Sequence, residues 1–127
     1  MISAKSTLRG AATLFVVQDV LKSVAHYRDV LGFTVEFTYG EPTFYAGVER
    51  DDVTIHLQAA RQTKRHVGQG AINVFVTDVD ALYEELKARG ARALNLPEDR
   101  PYGMRDFDMD DPDGNRLTFG TGIGGTH

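Results

Sequence analysis

The chain has 127 residues and a net charge of −4, from 14 Lys and Arg and 18 Asp and Glu. This length is typical of one compact domain, and the basic residues are mixed with acidic ones, which argues against nucleic acid as a partner. The absence of cysteine excludes disulfides and thiolate metal sites, and no apolar run approaches the roughly 20 residues needed to span a bilayer. We therefore expect one cytoplasmic domain, residues 1–127, with neither nucleic acid nor membrane as a partner.

The first sixty residues predict the order βαβββ. A β-branched apolar run at 13–17 is followed by apolar residues at helical spacing over 20–31. Asp19 is placed to cap the start of this helix, and Gly32 to end it. Three strands follow, the first at 33–38 with Phe33, Val35 and Phe37 on one side, then 43–48 and 53–59.

The same order repeats after a polar connector at 61–69. A strand at 72–76, the helix cap Asp78 and an apolar helical stripe closed by Gly90 copy the first half. Further strands are predicted near 92–96, 103–110 and 115–119, the last two joined by the turn Asp-Pro-Asp-Gly. The repeat predicts an internal duplication, with module one at about 11–60 and module two at about 70–120.

Each predicted strand has one apolar side and one mixed side. In 53–59, for example, Ile55 and Leu57 alternate with Thr54, His56 and Gln58. The apolar sides predict the core. The mixed sides either face water, as an antiparallel sheet allows, or line a concave pocket if the sheet curls.

Three motifs carry a resemblance to a known family. They are the first strand with Asp19, the helix SVAHYRDVLGF at 23–33, and the turn DPDGN at 111–115, supported by YGMRDF at 102–107. Together they resemble the vicinal oxygen chelate superfamily, which includes glyoxalase I, extradiol dioxygenases, and fosfomycin- and bleomycin-resistance proteins. The resemblance implies an α+β fold in which two βαβββ modules form curled mixed sheets around a cleft.

The resemblance also marks four places where metal-dependent members carry ligands. By motif alignment these places fall at Ala12, His56, Ala71 and Thr118. Of the four, only His56 is a suitable ligand, and a divalent ion normally needs at least three protein ligands. We therefore expect neither a metal nor another cofactor.

We expect the mixed sides of the strands to supply the wall of a ligand site. The aromatic rings of Phe75 and Tyr102 are suited to stacking on a planar ligand, and the carboxylates of Asp106 and Asp108 to pairing with a cationic one. Alternatively, Phe75 packs in the core, the aspartates are ordinary exposed charges, and Arg116 bridges to one of them. The expected wall residues are Thr54, His56, Gln58, Asn73, Phe75, Tyr102, Asp106, Asp108, Arg116 and Thr118.

The leading hypothesis is a metal-independent protein of the bleomycin-resistance type, which sequesters a small organic molecule and forms a homodimer. A second hypothesis is an enzyme of the same fold, such as a glyoxalase-like lyase or a dioxygenase-like enzyme, with His56 as general base. A third is a regulatory interaction module, because a fold does not fix a function.

Overall fold

The structure is a computed structural model that describes residues 5–123. It contains eight strands and two α-helices within these residues. In chain order they are β1 (Thr13–Val17), α1 (Val20–Asp29), β2 (Thr34–Tyr39), β3 (Tyr45–Arg50), β4 (Val53–Ala59), β5 (Ala71–Phe75), α2 (Val79–Ala88), β6 (Glu98–Asp99), β7 (Met104–Asp110) and β8 (Arg116–Gly122). The predicted order βαβββ therefore occurs twice.

The strands form two four-stranded mixed sheets with the same internal order. The first sheet runs β1-β4-β3-β2 and the second β5-β8-β7-β6. In each sheet the first and last strands of the module pair in parallel, and the remaining neighbours pair antiparallel. The two modules therefore have the same sheet topology, as the duplication in the sequence predicts.

Both helices begin at the predicted capping residues. The carboxylate of Asp19 accepts a hydrogen bond from the Lys22 backbone N–H at 3.1 Å, and that of Asp78 accepts one from the Ala81 N–H at 3.0 Å. These bonds satisfy backbone donors that the first turn of a helix leaves free. Each helix thus starts a few residues after the first strand of its module ends, and this short connection keeps the helix next to its own sheet.

The apolar sides of both sheets contribute to one core. Ile55 and Leu57 of β4 are fully buried in the same cluster of side chains as Leu117 and Phe119 of β8. Since successive strand residues point to opposite faces, the mixed sides of both sheets point away from this core. The fold therefore presents one mixed face per module.

Polar contacts also join the modules. The buried Tyr27 hydroxyl of α1 donates to the Asp111 carboxylate after β7 at 3.0 Å, and the Arg50 guanidinium at the end of β3 forms two bonds to Glu85 of α2, at 2.7 and 2.9 Å. Burial raises the pKa of the Tyr27 hydroxyl well above its usual range, and Asp111 adds to this shift. Tyr27 therefore stays protonated and remains a donor.

The predicted strand at 92–96 is wrong, because the short strand of this edge is Glu98–Asp99. One backbone bond joins this segment to β7, from the Leu94 N–H to the Asp108 carbonyl at 2.8 Å, and beside it the side chain of Asn95 contacts the strand: its Oδ1 accepts from the Asp108 N–H at 2.9 Å. Pro97, two residues after Asn95, has no N–H to donate. The Asn95 side-chain bond thus takes the place of the second backbone bond that a strand ladder would make at this point.

Candidate functional site

The mixed face of the second module lines an open cavity of about 790 Å³. Six of the expected wall residues line it, namely Asn73, Phe75, Tyr102, Asp106, Asp108 and Thr118. The cavity is also lined by residues that the sequence analysis missed, among them Asn95, Arg100, Pro101 and Met104. Asn95 lies in the segment wrongly predicted as a strand, and Arg100 and Pro101 lie in the turn before β7, where strand periodicity gives no information about direction. Met104 begins β7 and shares the side of Asp106 and Asp108, so the alternation along this strand could have identified it.

Asp106 is already paired within the chain. Its side chain is 5% exposed, and its carboxylate accepts hydrogen bonds from the Arg100 Nε at 2.8 Å and from the Tyr102 hydroxyl at 2.5 Å. The bond to Asp106 raises the pKa of the Tyr102 hydroxyl, and burial and the negative charge of Asp106 add to the shift. Because Arg100 compensates its charge, Asp106 is a weak candidate partner for a ligand cation.

Asp108 differs, because the groups that bond its carboxylate are neutral. The Thr118 hydroxyl donates to one oxygen at 2.6 Å, and the Asn95 amide donates to the other at 2.9 Å. Burial raises the pKa of the Asp108 carboxyl, but the bonds from Thr118 and Asn95, helped by Arg116 and Arg100, outweigh it and hold the pKa below its usual range. Asp108 is therefore ionised at neutral pH in the wall of the cavity.

Two aromatic rings of the cavity wall are open to solvent. Phe75 is 79% exposed and Tyr102 is 64% exposed. The alternative that Phe75 packs in the core is therefore wrong. Large exposed rings beside an ionised carboxylate offer both an apolar surface and a charge to one ligand.

Arg116 lies on the same face but does not line the cavity. Its guanidinium pairs with Asp110, the residue directly opposite on β7. The expectation that Arg116 bridges to Asp106 or Asp108 is wrong. Asp110 was overlooked because one must know how β7 pairs with β8 to see that Asp110 lies opposite Arg116.

The mixed face of the first module carries the other three expected residues. Thr54, His56 and Gln58 alternate along β4 with buried neighbours and are half-buried. None of them lines the 790 Å³ cavity, which is built from the second module. Because both mixed faces point away from the common core, one chain does not bring His56 and Thr118 together.

Two aromatic residues of this first face were missed. The Tyr45 hydroxyl lies 2.9 Å from Nδ1 of His56, and the ring of Phe37 meets His56 edge to face at 5.5 Å. Phe37 was expected on the core side with Val35, but the pairing of β2 with β3 shifts register between these two residues. A bulge of one residue turns all following side chains to the opposite face.

Comparison with known proteins identifies the family. The model of the Glyoxalase/Bleomycin resistance protein/Dioxygenase superfamily matches residues 11–119. The chain belongs to this superfamily. The predicted resemblance and the predicted α+β fold are both confirmed.

Relatives within the superfamily include resistance and binding proteins. A bleomycin resistance protein from Geobacillus stearothermophilus is 32% identical over 120 residues, with 81% of this chain and 89% of the relative covered. The bleomycin-binding protein from Streptomyces verticillus, solved with copper(II)-bleomycin, has a TM-score of 0.75 and 28% identity, with 95% of this chain and all of that chain covered. A lactoylglutathione lyase from Agrobacterium tumefaciens has a TM-score of 0.72 and 22% identity, with 93% and 96% covered, and supports the fold alone.

The four metal-ligand places of the superfamily do not fit a metal ion in this member. Two are the methyl side chains of Ala12 and Ala71, and the Thr118 hydroxyl already donates to Asp108. Between residues 5 and 123 no group of three His, Cys, Asp or Glu side chains is arranged to hold a metal. His56 alone offers one nitrogen, which is too few donors for a stable site.

The helices of this superfamily member are short. In the described residues neither is long and apolar enough to cross a membrane.

Proposed function

We propose that this protein binds and sequesters a small organic molecule without a metal ion, in the cavity of the second module. One observation carries the proposal: the ionised Asp108 carboxylate, bonded by neutral donors only, lies in the wall of a cavity of about 790 Å³. Ligand pockets of drug-sized molecules are about 300–1,000 Å³ in volume. The cavity is therefore large enough for such a molecule.

The chemistry of the wall indicates a planar ligand that carries a positive charge. A cation beside Asp108 would add a charged partner to a carboxylate whose present partners are neutral, and charge-assisted hydrogen bonds are stronger than neutral ones. The exposed rings of Phe75 and Tyr102 would cover an aromatic part of the same molecule. Asn73 and Thr118 supply further polar groups that can orient it.

The relatives agree with a binding role. The curated relative at 32% identity is a bleomycin resistance protein, and a structural neighbour at 28% identity holds copper(II)-bleomycin. These names support the class of function, a protein that binds an organic antibiotic. The wall residues of this chain, rather than the names, define which ligands it accepts.

We further propose that two copies pair as a homodimer. Each chain has two mixed faces, one with the open cavity and one with Thr54, His56 and Gln58, and both point away from the core. A second copy that covers these faces would enclose the cavity and remove its exposed aromatic rings from water. Light scattering coupled to gel filtration measures this directly, with a mass of one 14.0 kDa chain contradicting the dimer.

The ligand proposal is tested by a thermal-shift screen of cationic aromatic compounds and antibiotics, followed by calorimetry on each hit. A ligand at 100 times its dissociation constant should stabilise the native state by about 2.7 kcal/mol. Asp108→Asn should weaken binding of a cationic hit by about tenfold or more, since a bond to a charged group contributes about 1.5–3 kcal/mol. Asp110→Asn, on the same strand and face but outside the cavity lining, is the matched control.

Other outcomes of this screen identify the other functions. Stoichiometric binding of zinc, nickel or manganese with turnover of a thiol adduct would identify an enzyme of the glyoxalase type. No stabilisation by any compound would contradict sequestration and favour an interaction module. Equal affinity of Asp108→Asn and the unmodified protein for a cationic hit would contradict the assigned charge contact.

A further inference from the structure

A further cavity, of about 470 Å³, lies where the two modules meet and is here called the junction pocket. Its apolar wall includes Leu31, Phe33 and Val53 of module one and Val76, Leu82 and Leu86 of module two. A volume of this size suits a small organic molecule. The junction pocket therefore offers an apolar interior to which both modules contribute.

The junction pocket is distinct from the cavity of the second module. The two have only Val74 and Phe75 of β5 in common. Apart from Phe75, the junction pocket is lined by α2, by the turn between β3 and β4, and by side chains that point to the core side of the sheets. Its mouth lies between α2 and that turn, so pairing of two copies through the mixed faces does not by itself cover it.

The internal duplication shows what lies at the equivalent place in module one. Val16 of β1 and Phe75 of β5 are equivalent, because each lies three residues before the aspartate that caps the next helix. In module one the connector fills the space between β1 and the β7–β8 turn: the Gly68 N–H donates to the Val16 carbonyl at 3.2 Å, and a Cβ at Gly68 would lie 2.0 Å from the Asp113 carbonyl oxygen. In module two the corresponding space, between β5 and the β3–β4 turn, is the junction pocket, with Phe75 and Asp52 in its lining. The second module thus has a pocket where the first module holds a segment of the chain.

The mouth of the junction pocket is acidic. One guanidinium and four carboxylates line the pocket, a net charge of −3. The guanidinium of Arg50 bonds Glu85, which is also bonded by Arg89, so the charge of Glu85 is compensated. The other carboxylates are those of Asp51, Asp52 and Asp78. Asp51 has a single ion-pair contact, at 4.0 Å from Arg50, and the other two aspartates have none among residues 5–123. A positive charge at the mouth would therefore be attracted, and a negative one repelled.

We propose that the junction pocket binds a cationic amphiphile, whose alkyl chain enters the apolar interior and whose charged head group stays at the mouth beside Asp51, Asp52 and Asp78. Leucine and valine side chains predominate in the wall, and they require no hydrogen bond from the part of the ligand that they cover. This inference goes beyond the proposed function, because it requires neither Asp108 nor a planar aromatic ligand. A chain bound here would contact both modules at once.

The first test compares n-octylammonium with n-octanoate, which have the same chain length and opposite charges, by calorimetry on the full chain. Octylammonium should bind about threefold more tightly or better, the scale of an exposed ion pair. Hexylammonium should bind more weakly than octylammonium by about fourfold for each methylene group removed, because each one is buried in the apolar interior. The methyl NMR signals of Val53, Leu82 and Leu86 should shift on binding. Equal affinities for octylammonium and octanoate, or shifts confined to residues outside the pocket, would overturn the proposal.

Ala81→Leu tests where the alkyl chain lies. Ala81 is an exposed residue of α2 that lines the pocket, and leucine is a good helix former, so the variant should fold. It should weaken octylammonium binding by about fifteenfold, the effect of excluding two methylene groups. Ala88→Leu makes the same change at an exposed residue of the same helix outside the pocket and should bind like the unmodified protein. Equal affinities of the two variants would overturn the proposal.

The double variant Asp51→Asn/Asp52→Asn tests the role of the acidic mouth. Asparagine tolerates the positive φ of residue 51, which is 50°. At low salt the variant should bind octylammonium about threefold more weakly, and this difference should shrink as salt screens the charges. Glu84→Gln, at an exposed residue of α2 outside the pocket, is the control and should have no effect. Unchanged octylammonium affinity in the double variant would overturn the proposal.

Asp108→Asn separates this inference from the proposed function. It should leave octylammonium binding unchanged, because Asp108 lines the other cavity. Binding that is lost in Asp108→Asn but kept in Ala81→Leu would place the cation in the cavity of the second module, which supports the proposed function and overturns this inference. If no amphiphile binds and Ala81→Leu instead changes the mass measured by light scattering, the pocket contacts a second copy of the chain and the proposal is overturned.

Discussion

The Thr118 hydroxyl lies 2.6 Å from the Asp108 carboxylate, and the two residues face each other directly across the pairing of β7 with β8. This bond and the one from Asn95 together lower the pKa of Asp108 against the opposing effect of burial. Thr118 occupies one of the four positions at which metal-dependent members of the superfamily carry a ligand. Here its hydroxyl helps to keep the neighbouring Asp108 carboxylate ionised.

Thr118→Val should raise the pKa of Asp108, because it removes a hydrogen-bond donor with little change in volume. A carboxyl whose folded pKa is lowered stabilises the fold above its unfolded pKa, and this contribution is lost as the pH falls through the folded pKa. The stability difference between the unmodified protein and Thr118→Val should therefore be larger at pH 7 than below pH 3. Carbon-detected NMR titration of the carboxyl groups measures the shift.

Thr54→Val is the control for this prediction. Thr54 lies on the corresponding face of the other sheet, so the titration of Asp108 should not change. If Asp108 titrates at the same pH in Thr118→Val as in the unmodified protein, the Thr118 bond does not hold its charge.

Tyr27→Phe should destabilise the chain by about 1–3 kcal/mol, the range for leaving a buried acceptor without its donor. The Tyr27 hydroxyl is one of the donors to the buried Asp111 carboxylate, which has no Lys or Arg bonded to it in the described residues. Urea unfolding measures the loss. Tyr39→Phe, at a residue that is 65% exposed, should change the free energy of unfolding by less than about 0.5 kcal/mol.

The sequence was sufficient to predict most of what local interactions determine. Helix caps at Asp19 and Asp78 and the alternation along β4 depend on neighbours within a few residues, and the structure confirms them. Phe37 was placed on the wrong side because one bulge residue reverses the faces after it, and a bulge leaves no mark in simple alternation. The strand predicted at 92–96 was wrong because the segment makes one backbone bond to β7, from Leu94, and the Asn95 side chain takes the place of the next one.

The candidate site was predicted in part, for a related physical reason. Strand periodicity selects the face on which a residue lies, so Asp106 and Asp108 were both chosen as ligand contacts. Periodicity does not show the hydrogen-bond partners of the two carboxylates, and these partners decide which one is available to a ligand cation. Arg100 compensates the charge of Asp106, whereas neutral groups bond Asp108. Nor does periodicity show how two sheets are oriented, so the common core of the modules had to be seen in the structure.

Glu85→Gln should weaken the contact between the modules in a pH-dependent way. The hydrogen bond from Arg50 lowers the pKa of Glu85 against the effect of burial, and Arg89 lowers it further. The pair is partly exposed and screened by solvent, so the loss at pH 7 should be about 0.5–1 kcal/mol. Because the lowered pKa gives stability that disappears as pH falls through it, the effect should vanish at low pH.

Urea unfolding at pH 7 and at pH 3 tests this prediction. Glu84→Gln, an exposed neighbour on α2 with no ion pair among residues 5–123, is the matched control and should show neither effect. A loss of equal size at both pH values would show that the charge of Glu85 is not what joins the modules.

Gly68→Ala should destabilise the chain far more than Gly90→Ala, although both glycines have positive φ, +74° and +97°. An alanine at position 90 meets no atom within 4 Å, so its cost is that of the left-handed backbone, about 1–2 kcal/mol. At position 68 a Cβ would lie 2.0 Å from the Asp113 carbonyl oxygen, a backbone atom that cannot rotate away.

The connector and the β7–β8 turn must therefore separate to admit this methyl group. That movement threatens the bond from the Gly68 N–H to the Val16 carbonyl at 3.2 Å, which joins the connector to β1. We expect an additional loss of about 1–3 kcal/mol for Gly68→Ala, the usual cost of overpacking, measured by urea unfolding of both variants. Equal losses in the two variants would mean that the close approach at Gly68 contributes nothing to how the modules are joined.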